Sequence, residues 1–397
     1  MKSFTNNRLL YFSPSWSGGL ADYAHEQAKA LGRRGVKVTL LTSPDFKKEK
    51  TSLYTINQSL VSTGTFKSPL VWIRKFVLVA NILQNYIKLA KIIREENFEY
   101  VLFGSYAEYL APLWSCALLQ LAKEGVIFGS VVHDPIRSYV VGPLWWHRWS
   151  IACAYSFIKE AFVHEAINLD TVKPMPNLFT TVIPHGSYKF AKPKQSRTKT
   201  REALNIPDQA KVILSFGHIR DNKNLDLALE AIANFHDLHL VVAGKVSSTT
   251  QRTVAYYQDL THRLGIADRC HWLIKFISEE QVGDLFNACD AVLLTYSASF
   301  QSASGVLNAA VAYQKPCIAS SGEGNLRTVV QKYKLGVFVQ PDDWQAIRDG
   351  IQQWLNGITP PLWQQYEQDN SWDKNAEIIC HQFFEKKIGI ADLGVNH

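Results

Sequence analysis

Metal-ligand spacing of cysteine is missing from this 397-residue chain. Its six cysteines are scattered, and no Cys-x-x-Cys or Cys/His pair marks a metal site. They read as reduced thiols inside apolar runs, the pattern of a cytosolic protein. No secretory leader is expected, because residues 1–8 are polar and lead straight into a strand pattern. Charge breaks the longest apolar runs, so none is expected to reach the ~18–20 residues that span a bilayer. No Gly-x-Gly-x-x-Gly fingerprint is present, which argues against a dinucleotide site. Internal repeats and low-complexity tracts are also absent, which removes solenoids and disordered arrays from consideration.

What is present is core material. Apolar residues make up 47% of the chain and aromatics 12%, enough to fill large interiors. A single core rarely exceeds roughly 250 residues, so two or three domains are expected. Charge is lopsided. Residues 1–190 hold 21 Lys and Arg against 13 Asp and Glu, and the rest hold 21 against 22. A basic first half fits an anionic partner such as a membrane surface or lipid phosphate, or it is general solubility charge.

Short apolar strands alternate with helical periodicity along the chain, which predicts parallel sheets of α/β type. Residues 9–12 read as a strand, followed by a turn-rich loop ending in Gly18-Gly19 and a helix over 20–31. Glycines at that place let a ligand approach the backbone and the helix start, or simply make a turn. Residues 71–97 form a long amphipathic helix with basic residues, either covering a sheet or lying on a membrane surface. His133 and Asp134 follow a strand at its carboxyl end, where open α/β sheets bind ligands. Trp145, Trp146 and Trp149 flank Arg148 in a segment suited to an interface, to sugar stacking or to core packing.

Residues 189–201 are rich in Lys and Arg without apolar periodicity, and read as a break between domains. The strand–helix alternation then restarts. A strand over 212–216 runs into a polar loop holding His218, Arg220 and Lys223. A strand over 291–294 runs into Ser304-Gly305-Val306 and a helix. Small residues opening a helix present free amides and a positive dipole end, a place for phosphate or an ordinary connection. The domain boundaries expected are 1–188, a basic linker 189–204, 205–371, and a terminal helix and tail 372–397 that packs back toward the first domain.

Six segments in order resemble the GT-B glycosyltransferases of the large family 4. They are the Gly18-Gly19 loop with RRGVKVTLLT, then VIPHGSY, SFGHIRDNKNLDLALEAI, LHLVVAGK, ISEEQVGDLFNACDAVLLTY and SGVLNAAVAYQKPCIAS. The resemblance covers nearly the whole chain. It implies two facing Rossmann-like doubly wound domains, with an inter-domain cleft, and transfer of a hexose from a nucleotide sugar. The donor implied is a UDP-sugar, glucose first. The acceptor implied is a glycan or lipid-pyrophosphate-linked glycan in envelope or exopolysaccharide assembly, reached from the cytoplasm or the inner face of the membrane. No nucleic acid partner is implied. A two-domain sugar-binding module without catalysis is the alternative.

The resemblance also implies roles. Lys223 takes the lysine position on the diphosphate, with His218 where an arginine is usual and Arg220 as a second cation. Ser304, Gly305 and Val306 cradle the diphosphate, Gly18 and Gly19 approach the donor, and Lys275 and Phe276 lie against the base. His133 sits near the reacting sugar carbon, where it orients or polarises rather than attacks, with Asp134 as the nearest carboxylate for an acceptor hydroxyl. The family's paired glutamates fall on Gln301 and Ala309, neither of them acidic. No metal is expected, since no Asp-x-Asp follows a strand and fixed cations replace one.

Overall fold

The computed structural model describes residue 4 and residues 7–49, 51–64, 70–133, 135, 140–186, 190–246, 251–301 and 304–385. Asp134 lies outside them. The chain divides into two compact units, Met1–Gly186 with Asn370–His397, and Ser187–Asp369.

In the first unit, β1 (Arg8–Phe12), α1 (Gly19–Arg33), β2 (Lys37–Leu41), β3 (Thr55–Asn57), α2 (Val71–Glu95), β4 (Tyr100–Phe103), α3 (Ala111–Lys123), β5 (Ile127–Val132), α4 (Leu144–Tyr155), β6 (Glu160–Val163) and β7 (Phe179–Val182) follow in turn. The strands form a parallel sheet in the order β3-β2-β1-β4-β5-β6-β7. β1 and β4 are buried along nearly their whole length, as central parallel strands must be when helices cover both faces. The strand order reverses between β1 and β4. That reversal opens a crevice at their carboxyl ends.

The second unit contains α5 (Arg197–Ala203), β8 (Lys211–Phe216), α6 (Leu225–Ile232), β9 (Leu238–Ala243), α7 (Val254–Arg263), β10 (Cys270–Leu273), α8 (Glu279–Ala288), β11 (Ala291–Thr295), α9 (Gly305–Ala312), β12 (Cys317–Ser320), α10 (Asn325–Lys332), β13 (Gly336–Phe338), α11 (Trp344–Asn356) and α12 (Trp363–Asp369). Its sheet runs β10-β9-β8-β11-β12-β13, again parallel, with the reversal between β8 and β11. Two apolar clusters, one holding Phe286 and Leu307 and the other Leu229 and Ile347, form its core.

The last helix, α13 (Trp372–Cys380), belongs to the first unit. Asn375 Oδ1 accepts from Gln27 of α1 at 2.8 Å, and Asn375 Nδ2 donates to Tyr23 at 3.0 Å. Arg33 and Arg34 pair with Asp373 and Glu377.

Three sequence expectations are corrected. The basic stretch is not an open linker, because its second half folds as α5, capped by the Ser196 side chain. Arg201 of α5 is fully buried, bonded to Asp290 at 2.9 Å and to the carbonyl oxygens of Ala288, Asp208 and Ala210. Charge satisfied this thoroughly is a core element, invisible to a reading that counts apolar residues. By length and composition, α2 is also long and apolar enough to cross a membrane, since few charges fall in its best 18-residue window. Its second half packs on the sheet through Tyr86, Leu89, Ala90 and Ile93, whereas Trp72 and Phe76 in its first half are 68% and 71% exposed. Finally, the cysteines are not all core thiols, since Cys116 is exposed and Cys153 half-buried.

Candidate active site

The second unit places two loops beside its strand-order reversal, one after β8 and one after β11. The β8 loop is held by main-chain pairing with the β9 loop, Gly217 N to Ala243 O and Ile219 N to Lys245 O, both 2.9 Å. The two loops touch so closely that a Cβ on Gly244 would lie 2.0 Å from the Gly217 carbonyl oxygen. Only glycine fits there, and it carries a φ of +152° as well. This brings Lys245 within reach of His218, on the loop that also holds Arg220 and Lys223. His218 is pushed below its ordinary value by burial and by Arg220, Lys245 and Lys223.

Lys223 is the most enclosed member of this cluster, half-buried where His218, Arg220 and Lys245 are exposed. Its Nζ donates to the Phe216 carbonyl at 2.7 Å and stands 5.9 Å from the centre of the Tyr296 ring. Burial, and then Arg220, push its ammonium down to about 8. Gly217 carries a φ of +89°, and a Cβ there would be in ordinary contact with Lys223 Nζ at 3.5 Å and Val306 at 3.6 Å.

The β11 loop joins the same spot. Thr295 donates to the Lys223 carbonyl at 3.0 Å, and Ser297 N donates to Asn222 O at 2.9 Å. The hydroxyl of Tyr296 lies 3.0 Å from Ser304 Oγ, and Phe300 stacks on the Tyr296 ring. Ser304 is buried and immediately precedes α9, but its side chain does not cap the helix. Its hydroxyl is spent on Tyr296, which leaves the first amides of α9 without a side-chain acceptor from that residue.

In the first unit, Gly18 opens α1 with a φ of +74°, and a Cβ on Gly18 or Gly19 would meet nothing within 4 Å. Ser15 and Ser105 bond across the reversal at 3.1 Å. His133 immediately follows β5 and donates through Nε2 to the Gly104 carbonyl at 3.0 Å. A carbonyl oxygen only accepts, so the proton is on Nε2 and Nδ1 of the neutral ring carries a lone pair. His133 packs edge-on to Tyr23 at 4.6 Å, and Tyr23 also touches His164 and His185. Burial, and then His185, push His133 down to about 4. His164 and His185 are held low by burial too. The ring is therefore uncharged near neutral pH.

The cations, the small-residue helix start and the strand-order reversal coincide in one unit, and the residues around them match known families. A family model described as Glycosyl transferases group 1 matches residues 196–378, and one described as Glycosyltransferase Family 4 matches residues 17–162. The chain belongs to the group 1, family 4 glycosyltransferases. It is 21% identical over 383 residues to a D-inositol 3-phosphate glycosyltransferase of Mycobacterium ulcerans, a match covering 84% of this chain and 74% of the relative. Among solved structures, sucrose-phosphate synthase from Thermosynechococcus elongatus superposes with a TM-score of 0.64 at 15% identity, covering 97% of this chain and all of the other. HepE of Anabaena, solved in complex with UDP, gives a TM-score of 0.59 at 16% identity over 98% and 100% of the two chains. These neighbours establish the fold as GT-B.

Not every expected site residue of this glycosyltransferase converges. Lys223, Ser304 and Val306 do. Arg220 and His218 lie on the same loop and are exposed. Lys275 and Phe276 follow the edge strand β10, with Phe276 77% exposed. Among the described residues no hydrogen bond or ring contact ties them to Lys223 or Ser304. Gln301 is exposed, while Ala309 is in the apolar core at 2% exposure. Sequence reasoning missed Tyr296 and Lys245. Each is the first or second residue beyond a parallel strand, and that position was the available signal.

Proposed function

We propose that this glycosyltransferase moves a hexose, glucose first among candidates, from a UDP-sugar to a glycan or lipid-linked glycan acceptor in envelope or exopolysaccharide assembly. The observation that carries the donor half is Lys223 and Ser304 on either side of the β8–β11 reversal, joined through Tyr296. A nucleoside diphosphate leaving the sugar gains charge in the transition state. A half-buried ammonium, a nearby Arg220 and the amides opening α9 are fixed donors for that charge, in place of a metal. HepE was solved with UDP-glucose as well as UDP, which supports the same donor class here.

Retention fits a His133 that is neutral and anchored. Its free Nδ1 accepts a hydroxyl hydrogen and positions a sugar, while the leaving phosphate takes the acceptor's proton. Asp134 adjoins it in sequence as the carboxylate an inverting route would use. The enzyme would work at the cytoplasmic face of a membrane, held peripherally by the basic first unit.

The test is UDP release from a panel of UDP-sugars. With UDP-glucose, slow release should fall by about 100-fold or more in Lys223→Ala, in line with loss of one charge-stabilising donor. Tight binding of nucleotide sugars without turnover, with any acceptor offered, would instead favour a two-domain binding module.

A further inference from the structure

Asp342 and Asp343 follow β13 at the same edge of the parallel sheet as the β8 and β11 loops, yet the donor site described above uses neither. Asp343 caps α11, its Oδ1 accepting from Gln345 N at 2.8 Å and Ala346 N at 3.2 Å. Asp342 is thereby fixed at the end of a helix, and its carboxylate reaches away from that helix. Its Oδ1 accepts from Asn224 Nδ2 at 2.8 Å, and its Oδ2 accepts from Ala298 N at 2.8 Å.

These two donors belong to the two loops of the donor site. Asn224 directly follows Lys223, and Ala298 stands two residues past Tyr296. One carboxylate thus ties the β8 loop to the β11 loop from a third element. The loops also meet directly, through Thr295 on the Lys223 carbonyl and Ser297 N on Asn222 O. Gly322 N, beyond β12, holds Phe300 O at 3.0 Å. Asp342 acts between these, at the middle of the loop. Asp342 and Asn224 both carry left-handed backbone, with φ of +58° and +51°. That region is uncommon for residues other than glycine, and Asp and Asn tolerate it best. Strain of this kind persists where surrounding contacts hold it, as the paired side chains do here.

A diphosphate gripped by Lys223 and the first amides of α9 requires those donors at a set separation before its charge develops. We propose that Asp342 is a positioning residue of the donor site, whose carboxylate keeps the β8 and β11 loops at the spacing a nucleoside diphosphate spans. It acts through Asn224 and Ala298 and does not touch the phosphates. This rests on the transferase reading above and adds the residue that sets the width of its donor site.

Two variants of the full chain test it. Asp342→Gly removes both links but also relaxes the left-handed backbone, so the thermal midpoint should move by no more than about 3 °C. Its affinity for UDP, by isothermal titration, should still fall about threefold. Its kcat for UDP release from UDP-glucose should fall about tenfold, because donors aimed at the leaving diphosphate count most in the transition state. Asp342→Asn, with the Asn224 amide turned over, donates to Asn224 Oδ1 and still accepts from Ala298 N. It should stay within about twofold of the unaltered chain in both affinity and kcat. A Gly variant as fast and as tight as the unaltered chain would overturn the proposal. So would an Asn variant as slow as the Gly variant, since the charge rather than the link would then matter. A Gly variant whose midpoint drops by about 10 °C or more would make Asp342 a residue of general stability, which overturns it too. If the unaltered chain binds UDP but releases none from UDP-glucose, the transferase reading fails, and the titrations alone decide on Asp342. A chain that binds no UDP overturns both.

Discussion

The hydroxyl of Tyr296 and Oγ of Ser304 lie 3.0 Å apart, both buried, and bind the end of β11 to the start of α9. Serine before a helix commonly caps it, but this one is occupied by the tyrosine. Tyr296→Phe keeps the ring under Phe300 and removes only the hydroxyl. The serine would then be free to turn back on the amides of α9, in competition with a phosphate. Stability should fall by about 1 kcal/mol, the usual worth of a neutral hydrogen bond. UDP affinity should fall severalfold. Urea melts and UDP titrations measure the two, and an unchanged UDP affinity would show that Ser304 has no part in phosphate binding.

Lys223 makes a pH prediction. In the free protein its ammonium is lowered to about 8 by burial and Arg220. A bound diphosphate favours the charged form and raises that value again. Binding of UDP near pH 8.5 should therefore take up protons, seen as heats that depend on the ionisation enthalpy of the buffer. Above pH 8 the affinity should decline, approaching about tenfold per pH unit where the lysine alone titrates. Lys223→Ala should abolish the uptake. Buffer-independent heats in the unaltered chain would show that the lysine does not meet the phosphates.

The two-domain α/β architecture was legible because β1, β8, β9 and β11 are short, mainly apolar runs ending at glycine or polar loops. Lys223 and Ser304 were legible because ligands gather just past such strands. What stayed hidden depends on partners remote in sequence. Arg201 looks like linker charge until Asp290, 89 residues away, and three carbonyl groups surround it. The exposure of Trp72 and Phe76 depends on the sheet reaching only the second half of α2, which periodicity alone does not reveal. β3 and β13 are three residues each, too short to give a pattern.

The histidines at the ends of β5, β6 and β7 predict acid sensitivity. His133, His164 and His185 are all held below the ordinary histidine value, mainly by burial. The unfolded chain binds protons on them below about pH 6.5, and the folded chain resists doing so, His133 down to about 4. Their contribution is thus fully present above pH ~6.5 and drains away as pH falls toward 4, by about 1.4 kcal/mol per pH unit for each proton taken up on unfolding. The thermal midpoint should drop between pH 7 and 5, and His185→Asn should flatten that slope. Equal slopes in both proteins would show that this cluster does not set the acid limit.

Arg201 and Arg197 both reach Asp290, at 2.9 Å and 2.6 Å, yet they should behave differently when replaced. Arg201 is fully buried, and Arg201→Met would strand the carbonyls of Ala288, Asp208 and Ala210 and leave Asp290 Oδ2 only the Val212 amide. Breaking a buried network in this way costs about 3–5 kcal/mol. The Arg197 side chain is 37% exposed, so Arg197→Met should cost less than about 1 kcal/mol, because water replaces it. Denaturant unfolding of the two variants compares them directly. If Arg197→Met proved the more damaging, the basic segment would be held by its surface pair rather than by the buried one.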